Sequence, residues 1–102
     1  MPHFFCKLIA PRPTFPFDMN ESEKALMGQH AVYWADLCAR GKVLVYGPVL
    51  DQKGPFGMGV FDAADEAEVD RLLDADPVIR VKIGFETEIT PMRAYTRELA
   101  PA

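Results

Sequence analysis

Hydrophobic alternation and helical periodicity divide the chain into six elements. Residues 3 to 10, HFFCKLIA, form an almost unbroken apolar run closed by Pro11, the pattern of a mostly buried strand. From Asn20 to about Arg40 the period lengthens, so that Leu26, His30, Tyr33, Trp34 and Leu37 share one helical stripe with Met27 and Cys38 on its margin. Asn20 and Glu23 have capping-box spacing at the start of this helix, and Gly41 ends it as a left-handed residue would. VLVYG at 43 to 47 is a second strand stopped by Gly47-Pro48, and FGMGVFDA at 56 to 63 is a third, joined to it as a hairpin through DQKG. Asp65 caps a second helix over about 65 to 75, with Val69, Leu72 and Leu73 facing inward. Val81, Ile83, Phe85, Thr87 and Ile89 then alternate with polar residues as a half-buried strand that ends before Pro91.

The order β-α-β-β-α-β predicts an α+β fold of the ferredoxin-like plan, an antiparallel sheet with two helices on one face. The first strand offers apolar residues to both faces, Phe5 and Ile9 opposite Phe4 and Leu8, so the second face needs a cover, and a partner subunit's sheet would supply it. PRPTFPFDM is too stiff and apolar for a linker and reads as an ordered loop packed on the body, with Phe15 and Phe17 partly covered. Residues 1 to 102 make one domain, with about 93 to 102 as a C-terminal extension.

Composition narrows the partners. Of 102 residues, 49% are hydrophobic and 25% charged, an ordinary folded-domain balance. The net charge is −4 and the 11 Lys and Arg residues are dispersed, which excludes a basic stripe for DNA or RNA. No run has the length of a membrane span or the layout of a signal peptide, so the expected location is the cytoplasm. The two cysteines, Cys6 and Cys38, lie outside any CxxC pattern and are expected as reduced, buried thiols.

The candidate chemistry lies at His30, a titratable ring in an otherwise apolar stripe. Antiparallel packing of the two helices would bring the end of the second beside the first half of the first, within reach of Asp76. A carboxylate on one ring nitrogen would fix the tautomer and leave the other nitrogen to move protons. Asp76 also precedes a proline, so it can equally cap the turn Pro77-Val78-Ile79, and His30 can equally be a satisfied core residue. Asp74 and Asp76 sit at the negative end of the second helix, where a carboxylate needs some compensating interaction. Trp34, Tyr46, Phe15 and Met58 are candidate walls of a substrate pocket, or plain core. Gly57 and Gly59 leave one face of the third strand bare for a backbone, a ring or a ligand. His3, Cys6, His30 and Cys38 lack the paired spacing of a zinc site, and GPFGMG lacks the helix start of a phosphate loop, so neither metal nor cofactor is expected.

His30 on an aromatic-rich helix, then GKVLVYGPV at 41 to 49, a hairpin, DP at 76 to 77 and a strand ending in Pro91-Met92 resemble the YCII-related family of the dimeric α/β barrel superfamily, over nearly the whole chain. The resemblance implies a homodimer of face-to-face sheets and an active-site pair at His30 and Asp76. It also implies an arginine three residues before the histidine; Met27 stands there, leaving Arg12 or Lys53 as substitutes for steering an anion. The function it implies is cofactor-independent proton transfer, an isomerisation or elimination, on a small cyclic or aromatic metabolite. The alternatives are a small-ligand-binding protein with a stress or regulatory role and, further off, an oxygen-dependent monooxygenase.

Overall fold

In the computed structural model, which describes residues 2–97, the chain enters through strand β1 (His3–Ile9). A helical turn α1 (Phe15–Asp18) interrupts the proline-rich segment and leads into helix α2 (Glu21–Ala39). Strands β2 (Val43–Val49) and β3 (Phe56–Asp62) follow as a hairpin, then helix α3 (Glu66–Asp74), a short helix α4 (Pro77–Arg80) and strand β4 (Glu86–Met92). The four strands form one antiparallel sheet in the order β2-β3-β1-β4, the ferredoxin-like arrangement.

Strand alternation separates two faces. Phe4, Cys6 and Leu8 of β1, with Phe61 of β3 and Val43 of β2, are buried against Trp34 and Leu37 of α2 and Val69 and Leu73 of α3. Phe5, Lys7 and Ile9 alternate onto the opposite face and remain half-buried, as do Phe56 and Met58, while Val45 is 53% exposed.

Three boundaries differ from the sequence pattern. Strand β4 begins at Glu86 rather than Val81, because Asp76-Pro77 opens a new helical turn and positive φ at Lys82 (59°) and Gly84 (111°) then redirects the chain. Strands β2 and β4 run through Pro48 and Pro91 instead of stopping at them. Both are edge strands, where a missing N–H breaks no central ladder. The capping box at Asn20 and Glu23 is present, with bonds of 2.8 and 2.9 Å.

The proline-rich segment is packed on the body: Pro11 lies against Gly84 and Pro13 against Gly54, both glycines with positive φ. Phe15 is buried edge-on against Phe85, with ring centroids 5.2 Å apart, whereas Phe17 is 80% exposed, since side chains two residues apart on the single turn of α1 point to opposite sides. Cys6 is buried and Cys38 exposed on the margin of α2, so only one of the two thiols meets the burial expectation; both are free. Residues 98 to 102 of the expected C-terminal extension lie outside the described residues.

Candidate active site

Helix α2 carries His30 and Trp34 one turn apart, and both reach the junction between α3 and α4. Asp76, wholly buried, occupies that junction. His30 Nδ1 stands 2.7 Å from Asp76 Oδ2, and the Trp34 indole N–H donates to the same oxygen at 2.6 Å. The other carboxylate oxygen, Oδ1, accepts the backbone N–H of Val78 at 3.0 Å. The carboxylate thus caps α4 and contacts the imidazole at the same time. All three groups match an ionised acceptor, which is how a buried carboxylate is made tolerable.

Two further contacts fix this junction. The Tyr33 hydroxyl donates to the Leu72 carbonyl at 2.6 Å and ties α2 to α3; burial, then the Asp76 charge, push that hydroxyl above its ordinary range. Trp34 packs flat enough on β3 that a Cβ at Gly59 would lie 2.5 Å from its ring, so the bare face of the strand is filled by the indole. Beneath it the Cys6 thiol is pushed up to about 12, chiefly by burial, and is inert as a nucleophile.

The free side of His30 opens on a cavity of about 320 Å³, a volume suited to a small ligand. Trp34, Tyr46 and Phe15 contribute to its wall together with Met27 and Phe85, and the indole neighbours both His30 and Tyr46, with ring centroids 6.0 and 5.9 Å away. Met58 also reaches the wall, from a strand position that alternates onto the face opposite the helices.

Neither cation considered as a substitute for the arginine absent at Met27 stands in this wall. Arg12 is engaged elsewhere: its guanidinium bonds Asp18 at 2.8 Å and both oxygens of Glu23 at 2.9 Å, and lies 5.1 Å from the centre of the Phe15 ring. Glu23 is the capping-box residue of α2, so Arg12 clamps the segment carrying Phe15 to the start of the helix that carries His30. The guanidinium, with help from the Asn20 N–H, holds the Glu23 carboxyl down at about 2; Arg12 and then Thr14 likewise lower Asp18. Lys53 lines a separate cavity of about 360 Å³ with Lys7 and Asp51. This network was missed from sequence, where Arg12 and Glu23 are 11 positions apart and only the capping box is visible.

Among the described residues no group of three or more His, Cys, Asp or Glu is placed to hold a metal ion, and no helix is long and apolar enough to cross a membrane.

The sheet order and the helices on one face define an α+β protein of the ferredoxin-like plan, as found in the dimeric α/β barrel superfamily. A family model for the YCII-related domain matches residues 3–93, and the chain belongs to that family. Among solved structures it is similar to 5-chloro-2-hydroxyhydroquinone dehydrochlorinase from Burkholderia phenoliruptrix AC1100 in complex with 2,5-dihydroxybenzoquinone. The two share 19% identity over 88% of this chain and 93% of that chain, with a TM-score of 0.64. No curated protein matches the chain.

Proposed function

We propose that this protein is a small cytoplasmic enzyme, homodimeric through the outer sheet face, that uses His30 as a general base on a small cyclic or aromatic metabolite. The observation that carries the reading is the 2.7 Å contact of His30 Nδ1 with buried Asp76, which leaves Nε2 as the nitrogen available to the apolar cavity. Asp76 orients the ring and stabilises the imidazolium formed when Nε2 takes a proton. In an elimination, the electron pair of the broken C–H bond forms the new double bond, and a halide or hydroxide departs with its bonding pair. In an isomerisation, the same proton returns at another position. Neither route requires a cofactor.

The dehydrochlorinase neighbour acts on a chlorinated hydroxyhydroquinone and binds a dihydroxybenzoquinone, which supports a hydroxylated ring as the first substrate class to try. The test is chloride release from a panel of chlorinated hydroxyhydroquinones, alongside deuterium uptake from solvent into unreactive analogues. Replacing His30 with Gln is expected to lower the rate by about 10²- to 10⁴-fold while binding persists. Release at an equal rate in the variant would remove His30 from the mechanism. Light scattering at micromolar concentration tests the dimer, and a monomer there would refute the pairing of sheet faces.

A further inference from the structure

We propose that the Tyr46 hydroxyl is the second ligand-contacting group of this cavity. Together with His30 Nε2 it selects an uncharged ring that carries a hydrogen-bonding substituent on each of two edges. The inference rests on the reading of this cavity as the substrate site and adds the chemistry of what enters it.

The polar inventory of the wall is short. Among the described residues, only His30, Trp34 and Tyr46 bring hydrogen-bonding side-chain heads to it, methionine sulfurs aside. The Trp34 N–H and His30 Nδ1 are both spent on Asp76. That leaves His30 Nε2, on α2, and the Tyr46 hydroxyl, on β2, as the polar groups that residues of this wall can offer a ligand. The Trp34 ring neighbours both, within about 6 Å of each ring by centroid. In the proposed pose a ring in the cavity meets His30 Nε2 at one edge and the Tyr46 hydroxyl at another, with apolar surface from Met27, Phe15 and Phe85 around its body.

Charge is selected against by the same wall. Among the described residues it contains no Lys, Arg, Asp or Glu. Arg12 is held by Asp18 and Glu23, and Lys53 belongs to the other cavity. His30 can become cationic, but it does so beside the Asp76 carboxylate, so the pair as a whole offers an anion no net positive charge. A carboxylate-bearing ring would lose its hydration without a compensating cation, whereas a neutral hydroxyl needs only one hydrogen bond to be satisfied.

The chain's one tryptophan is Trp34, so its fluorescence reports occupancy of the cavity directly. Three probes that share one phenol ring decide the matter in anaerobic buffer: 1,4-dihydroxybenzene, phenol and 4-hydroxybenzoate. The diol is expected to bind about five- to tenfold tighter than phenol, the worth of one added hydrogen bond, and the benzoate weakest of the three. In Tyr46→Phe the diol should lose its advantage and the diol-to-phenol affinity ratio should fall towards one, with urea unfolding of the variant as the check that the fold is intact. The inference is overturned by an unchanged diol-to-phenol ratio in that variant, by a benzoate that equals or exceeds the diol, or by failure of the diol to bind at millimolar concentration. These are binding readouts, separable from turnover. The expected order without any proton transfer would sink the base reading alone, and turnover of a ring that binds more tightly for carrying a carboxylate would sink this one alone.

Discussion

The indole N–H of Trp34 donates to buried Asp76 at 2.6 Å, on the carboxylate oxygen that also faces His30. One oxygen serves two rings of the same helix, so the tryptophan is a positioning group for the carboxylate as well as a core residue. Trp34→Phe keeps most of the packing against Phe61, whose ring centroid is 5.4 Å away, and deletes only the donor. Loss of a hydrogen bond to a charged group is expected to cost about 1.5–3 kcal/mol in urea unfolding. The His30 ring resonances should broaden or split as the oxygen loses one of its two restraints. A variant with wild-type stability and an unchanged His30 spectrum would reduce Trp34 to packing.

Asp76 carries a structural task that any activity assay must separate from the orienting role proposed for it. Its Oδ1 caps α4 through Val78, and its backbone carbonyl accepts from Arg80 at 2.8 Å. Asp76→Ala strands three N–H donors at once and should destabilise the fold by about 3 kcal/mol or more, measured as a shift in urea midpoint. Inactivity in that variant would say little about chemistry. An unfolding free energy that falls by less than about 1 kcal/mol would show that the cap and the ring contacts contribute little.

Gly59 is a position where the smallest side chain already collides. Its Cβ would lie 2.5 Å from Trp34 Cζ3 and 3.0 Å from Cη2, so Gly59→Ala must push the indole off the strand. Overpacking of this kind costs about 1–3 kcal/mol, and the displaced indole should lose its bond to Asp76. A red-shifted Trp34 emission maximum with a lowered Tm is the expected outcome. An unshifted spectrum with wild-type Tm would mean that the helix yields freely.

The acid limb of stability should belong to the Arg12 cluster. Glu23 titrates at about 2 in the folded protein against an ordinary 4.5, and Asp18 is also lowered. A depressed carboxyl stabilises the fold fully above its unfolded value and loses that contribution as protons bind, so stability falls as pH drops from about 4.5 towards 2. Arg12→Gln should flatten this limb, because the partner that holds Glu23 down is gone. Urea midpoints from pH 2 to pH 6 in both proteins check it, and identical slopes would place the acid sensitivity elsewhere.

What the sequence revealed depended on whether a signal was local. The Asn20–Glu23 capping box and the stripe through His30, Trp34 and Leu37 are set by spacing along one helix and could be read directly. The meeting of His30 with Asp76, 46 positions apart, was readable because antiparallel helices bring those ends together and because the family resemblance marks the same residues. The start of β4 was not, since the alternation at Val81 and Ile83 persists through a segment whose backbone turns away at Lys82. Arg12 could not be assigned, because its partners are decided by how the proline-rich segment folds back on α2. Trp34 was read as a wall or core residue, and nothing in its spacing shows that its N–H has found a carboxylate.

Pro48 and Pro91 lie near opposite borders of the sheet, each within a strand that has a neighbour on one side only. An incoming strand from a misfolded or crowded neighbour would seek an uninterrupted ladder of donors along either border, and at each proline that ladder lacks a rung. Glu86 and Glu88 add negative charge along the β4 side. The chain is thereby guarded against lateral growth into fibrils at both ends of its sheet, a protection that relies on prolines a strand can hold only where it has no second neighbour.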